Sequence, residues 1–275
     1  KVDDKGSFLT AYVTKDYNAS KVKRAVIQVH GQYRDSWNQF TYVSNSLKAA
    51  ASRKVIQEDE ALIITPMFFA IMDKGAYPVN KDNISSSKAL VWDDYTWGEC
   101  QNAVLPSYNK KGELANPSYS AKRSGIPVDD LSEHVEGKRA LAETSRAKAK
   151  AKGPEASAPD ALDSIIDFLS DENKFPNLEK IVLSGFSMGA QMVNRYLAMR
   201  PTSPQDSKLL FVISSPASLM YLTPHRPLEV PKNCPHYNNY KYGLDGKMPD
   251  YYKRHKKGDS VNDMRKRYFC LLYTS

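Results

Sequence analysis

Apolar residues in this chain come in short β-prone runs that alternate with stretches where they recur at helical spacing. Residues 8–13 are apolar and β-prone, and residues 25–29 repeat the pattern, entered through Lys21, Lys23 and Arg24 and left at His30-Gly31. From Asp35 or Ser36 to about Ser52, Trp37, Phe40, Val43 and Leu47 recur at helical spacing, which predicts a helix that buries those four. Residues 61–65 form a continuous apolar run ended by Pro66, the pattern of a central parallel strand covered on both faces. Leu162, Ile165, Ile166 and Leu169 fall at i, i+3, i+4 and i+7, an amphipathic helix with an early proline at Pro159. Residues 179–184 read as a buried strand with a charged approach, Met192, Val193, Tyr196 and Leu197 as a helix, and residues 209–213 as one more strand. Strand alternating with helix predicts an α/β domain whose sheet is mostly parallel and carries helices on both faces.

Between the strand at 179–184 and the helix after it stands Gly185-Phe186-Ser187-Met188-Gly189, a G-x-S-x-G pentad. A serine that attacks a substrate must stand at the top of a sheet in a turn too tight for ordinary side chains. Gly185 and Gly189 remove Cβ atoms where strand and helix approach, and the helix N-terminus aims N–H groups at the same spot. Ser187 is therefore the candidate nucleophile, and the Met188 N–H a candidate oxyanion donor. Without the flanking strand and helix, the pentad would be no more than a glycine-rich turn with an incidental serine.

The strand at 25–29 ends in the second half of the signal. In a serine hydrolase built on such a sheet, the loop after this strand gives the other oxyanion donor. Gly31 lets backbone N–H groups face a ligand, and Gln32 N–H is the expected donor, with Tyr33 N–H as the alternative. The ring of His30 is assigned a structural role, as a strand-end histidine that hydrogen-bonds the loop. Residues 90–92 and 95–98, with Trp92, Tyr95 and Trp97, form an aromatic cluster that either packs a long loop, the favoured reading, or lines a substrate pocket.

Composition changes little of this. The chain has 275 residues, 41% of them hydrophobic and 25% charged, enough for one large domain with a core. The net charge of +8 gathers in a few runs that read as solvated faces. The run at 138–152 lacks the interleaved aromatics of a nucleic-acid surface, so no nucleic-acid partner is expected. The most apolar stretch, 61–72, is too short to span a bilayer, so no transmembrane segment is expected. Residues 107–159 are polar and then Lys/Ala-rich, and read as an insertion into a single domain over 1–269. Residues 270–275 resemble the translation of an adapter used in DNA library preparation and are set aside as a scar. Cys100 and Cys234 then remain, too few for a disulfide framework or a zinc site.

With strand-His-Gly and strand-G-x-S-x-G-helix both in place, the chain resembles the α/β-hydrolase superfamily. The segments 26–31, 160–197 and 211–216, with Cys234-Pro235 and residues 240–244, look closest to a branch of esterase- and depolymerase-related hydrolases. Phe186 stands where many members have histidine, and the insertion is longer than such members need. The resemblance implies an acyl-enzyme on Ser187, no cofactor and no metal, and a small-molecule or polymeric ester as substrate. It also implies an acid and a histidine after the nucleophile, in that order. His225, His236 and His255, with Asp245, Asp250, Asp259 and Asp263, are available, but none follows a convincing strand, and none is assigned. A further strand is expected to begin at Arg267-Tyr268-Phe269, with the acid, the base and the last strands beyond residue 269, so the chain as written is expected to be inactive. An amidase or peptidase would use the same machinery, and a non-catalytic hydrolase-like binder would use the pocket alone.

Overall fold

The computed structural model describes residues 1–4, 6–73, 75–77, 89–104, 155–256 and 258–273. Most of the insertion at 107–159, including the basic run at 138–152, lies outside the described residues.

The chain builds a five-stranded sheet in the order β1-β3-β2-β6-β7, from β1 (Thr10–Val13), β2 (Arg24–Val29), β3 (Ala61–Met67), β6 (Lys180–Phe186) and β7 (Leu209–Ser214). β1 runs antiparallel to β3, and every other pair is parallel. β4 (Phe69–Ala70) and β5 (Val91–Trp92) form a small parallel pair beside it. This is the α/β class, with a mostly parallel sheet, expected from the alternation of strand and helix.

Side chains alternate across a strand, so parity assigns the faces. Ala25, Ile27 and Val29 of β2 enter the main core with Leu62, Ile64, Ile181 and Leu183. Two helices close that face, α2 (Ala158–Ser170) with Leu162 and Ile166, and α3 (Met188–Met199) with Met192, Val193 and Tyr196. Gln28 points the other way and donates to Gln39 of α1 (Ser36–Ser52), which covers β1, β3 and β2 from the opposite side.

Three expectations are corrected in detail. Trp37 is 49% exposed; Ser36 and Gln39 are the residues α1 buries, because the helix presents the face one position round from the tryptophan. β3 continues through Pro66 to Met67. Proline is tolerated there because its pairing with Ala11 of β1 is of the kind that exchanges no hydrogen bonds, and on the other side the parallel pairing with β2 has already ended at Ile64. Arg267-Tyr268-Phe269 does not start a strand. It lies within α5 (Val261–Tyr273), where Met264, Tyr268 and Leu271 recur at helical spacing toward the core. Ser260 and Asp263 cap this helix through reciprocal bonds of 2.9 and 3.2 Å, and the helix takes up residues 270–273 that had been set aside. A short helix, α4 (Asp250–His255), interrupts the tyrosine-rich stretch before it. No helix among the described residues is long and apolar enough to cross a membrane.

Candidate active site

The parallel strands converge on Ser187. β6 ends at Phe186, α3 begins at Met188, and the serine between them has φ 53° and ψ −113°. A non-glycine residue in this region is strained by roughly 1–3 kcal/mol and persists only where its surroundings over-determine it. Here the surroundings do so from two sides. The Ser187 N–H donates to Ser214 O at the end of β7 (3.0 Å), and the Ser187 carbonyl accepts the Gln191 N–H of α3 (3.1 Å).

The two motif glycines have a steric reason. A Cβ on Gly185 would run into the Gly189 carbonyl and come within 2.6 Å of Ala190 N. A Cβ on Gly189 would collide with His30 O and lie 2.5 Å from Val29 O, at the end of the neighbouring strand. Gly31 differs, since a Cβ there would rest 3.6 Å from Ser187 Cβ and 3.7 Å from the Phe186 ring, ordinary contact distances. The loop after β2 therefore stands directly beside the serine. The amides of Gln32 and Met188 make no backbone hydrogen bond among the described residues.

His30 underpins that loop. The Phe68 N–H donates to its Nε2 (3.0 Å), so the proton sits on Nδ1, which donates to Gly31 O (2.8 Å). The ring is fully buried, edge-on to Trp97 (4.7 Å between centroids) and Phe68 (5.8 Å). Burial holds its pKa down at about 4, so the imidazole is neutral at ordinary pH. Phe68 also stacks on Trp97 at 5.5 Å, and Trp92 and Trp97 are wholly buried, so these members of the aromatic cluster pack the floor of the loop.

Other candidate chemistry is engaged elsewhere. Burial pushes the Cys100 thiol up to about 12, which leaves it protonated and inert. His225 and His236 are exposed, and His255 lies against the Tyr251 ring (4.6 Å) with Nε2 3.9 Å from Asp160. Asp245 accepts from Asn238 (2.9 Å), Asp250 from Lys253 (3.0 Å), Asp259 pairs with Arg267 (2.6 Å), and Asp263 caps α5. Among the described residues no histidine or carboxylate is hydrogen-bonded to the Ser187 hydroxyl. Asp160, Asp163 and His255 bring ligand atoms within 4.8 Å of one another, but Asp160 caps α2 through the Ser157 N–H (2.7 Å) and binds Arg254, and Asp163 accepts from Tyr196 Oη (2.5 Å). These ligand atoms are thus engaged in a helix cap, an ion pair and a tyrosine hydrogen bond.

No family model matches the chain, and no curated protein matches it. Among solved structures it is similar to LpqC, a poly(3-hydroxybutyrate) depolymerase from Bordetella parapertussis, at 14% identity over 96% of this chain and 70% of the other, with a TM-score of 0.38. It is also similar to poly(aspartic acid) hydrolase-1 from Sphingomonas sp. KT-1, at 11% identity over 86% of this chain and 62% of the other, with a TM-score of 0.33. For siderophore hydrolase EstA from Aspergillus nidulans the values are 11%, 97%, 83% and 0.30. At these identities and TM-scores the likeness carries nothing about activity.

Proposed function

We propose that this chain belongs to a serine hydrolase that cleaves carboxylic esters through an acyl-enzyme on Ser187. The observation that carries the reading is the strained backbone of Ser187, at φ 53° between β6 and α3 and against Gly31. Strain of this kind gathers where side chains do chemistry. Ser187 Oγ attacks the ester carbonyl carbon while a base takes its proton. The tetrahedral oxyanion is held by the N–H groups of Met188 and Gln32, at the positive end of α3. The C–O bond to the alcohol then breaks, the protonated base returns its proton to the leaving group, and water hydrolyses the acyl-enzyme by the same steps. The acid and histidine of the triad come from sequence outside the described residues. An amide or peptide would be cleaved by the same groups with a different leaving group.

A second reading, a hydrolase-like binder without chemistry, is favoured by one observation, that no described histidine reaches the Ser187 hydroxyl. The two separate on the full-length gene product. An enzyme is labelled at Ser187 by a fluorophosphonate probe, hydrolyses short-chain nitrophenyl esters, and loses both in Ser187→Ala. A binder shows neither, and this result would overturn the ester-hydrolase reading.

A further inference from the structure

We infer that Arg34 is a positioning residue of the loop beside Ser187, clamping the Gln32 carbonyl to Asp73 and so fixing the direction of the loop's amides. The inference rests on the ester-hydrolase reading above.

The loop between β2 and α1 is a tight turn closed by the Arg34 N–H on Gly31 O (3.1 Å). Arg34 stands at φ 56°, in the left-handed region that glycine enters freely and a long side chain does not. Its side chain supplies what holds it there. Nε donates to Asp73 Oδ2 and Nη1 to Gln32 O, both at 2.6 Å, and the guanidinium lies 5.8 Å from the Tyr95 ring centroid. Asp73 Oδ2 also accepts the Ala70 N–H (2.8 Å), which ties the clamp to the segment after β3. That segment is itself seated by a small apolar cluster of Met67, Phe69, Tyr77 and Val91. The pair is mostly removed from solvent, with side-chain exposures of 12% and 18%, so salt screens it weakly.

A trans peptide unit is planar, with its C=O and the following N–H pointing in opposite directions. Two units of this loop are pinned by their carbonyls. Gly31 O is held by His30 Nδ1 and the Arg34 N–H, which turns the Gln32 N–H outward. Gln32 O is held by the Arg34 guanidinium, which does the same for the Tyr33 N–H, the alternative donor, and fixes the second peptide plane at the Gln32 Cα, so that the Gln32 N–H cannot swing about that residue. Gln32 and Tyr33 are themselves exposed, Tyr33 at 81%, so neighbouring packing contributes little to their orientation. The clamp and the His30 ring are two side-chain ties between this loop and the segment after β3, and of the two the clamp alone reaches Gln32 O.

The test uses the full-length gene product with Arg34→Gln, Arg34→Lys and Asp73→Asn, assayed on a nitrophenyl butyrate at a temperature well below every variant's unfolding midpoint. An oxyanion donor acts in the transition state, and misplacing it lowers turnover more than binding. Arg34→Gln is expected to lower kcat about 10- to 100-fold with KM changed less than about threefold. Asp73→Asn is expected to do the same, and the double variant to be no worse than the poorer single one, because both remove one clamp. Arg34→Lys is expected to recover only part of the loss, since one ammonium cannot span both acceptors in the fork geometry. A kcat within twofold of wild type in Arg34→Gln, or a fall in the midpoint alone, overturns the clamp and leaves the ester-hydrolase reading standing. If Arg34→Gln does not fold, Arg34→Lys and Asp73→Asn decide by the same split. Wild-type protein without Ser187-dependent turnover overturns both.

Discussion

The His30 imidazole is wholly buried, with one nitrogen donating to Gly31 O and the other accepting from Phe68 N. Protonation would turn the acceptor into a donor facing the Phe68 N–H, and burial already penalises the charge. The folded pKa, about 4, lies below the ordinary value of 6.5. As pH falls, the unfolded chain therefore takes up the proton first. His30's contribution is complete above about 6.5 and is lost as pH falls toward 4, roughly 3 kcal/mol in all. Asp35, Arg34 and Asp73 lie near enough to act on the ring, but burial dominates. Asp163 has the opposite sign. Burial raises its carboxyl above 3.8, so its contribution is lost as pH rises through the folded value. Comparing urea midpoints at pH 4.5 and 7 for wild type and His30→Gln isolates the histidine, and an unchanged pH slope in the variant would show that it is not the source. The glycines give a second residue-scale expectation. Gly185→Ala and Gly189→Ala force a Cβ into backbone and should cost on the order of 3–4 kcal/mol, whereas Gly31→Ala should cost under about 1 kcal/mol by thermal unfolding.

At the scale of elements, β7 is paired on one side only among the described residues. The register sets Val182, Ser184 and Phe186 of β6 beside Leu210, Val212 and Ser214 of β7, all on the face away from α3. Phe186 is 45% and Val212 46% exposed there. An unpaired strand with an apolar face and no charge of its own is a template for association. Val212→Lys should reduce light scattering during refolding while shifting stability by less than about 0.5 kcal/mol, since the position contributes little to the core. α2 is secured differently, by a capping box in which Ser157 Oγ accepts the Asp160 N–H (3.2 Å) and Asp160 accepts the Ser157 N–H (2.7 Å). Ser157→Ala should cost about 1 kcal/mol in thermal unfolding.

Across the whole molecule, Arg195 joins parts of the chain that are far apart in sequence. It is 1% exposed, and its guanidinium donates to Gly98 O (2.5 Å), Gln191 Oε1 (3.2 Å), Ser218 Oγ (3.2 Å) and Lys241 O (3.4 Å). It thereby ties α3 to the aromatic segment beneath the loop after β2 and to two loops beyond β7. Arg195→Met fills a similar volume but leaves those acceptors buried without a donor. The expected cost is about 3 kcal/mol, with hydrogen exchange rising first around Gly98 and Ser218.

The sequence by itself determined the strands and helices that make the sheet, because their apolar periods are local, and it placed the serine because strand, glycine pair and helix adjoin in the chain. It also marked His30-Gly31 as a strand end, and the structure sets that end beside Ser187. α5 was equally local in its spacing, but the apolar positions at Met264, Tyr268 and Leu271 are legible only over three turns, and a three-residue β-prone run obscured them. Tertiary structure alone decided the rest. The tautomer of His30 depends on Phe68, 38 positions away, and the clamp on Arg34 depends on Asp73, 39 positions away. No local pattern announces an arginine at positive φ. Hydrogen bonds of this kind join groups that the folded sheet brings together, so their partners cannot be read from spacing.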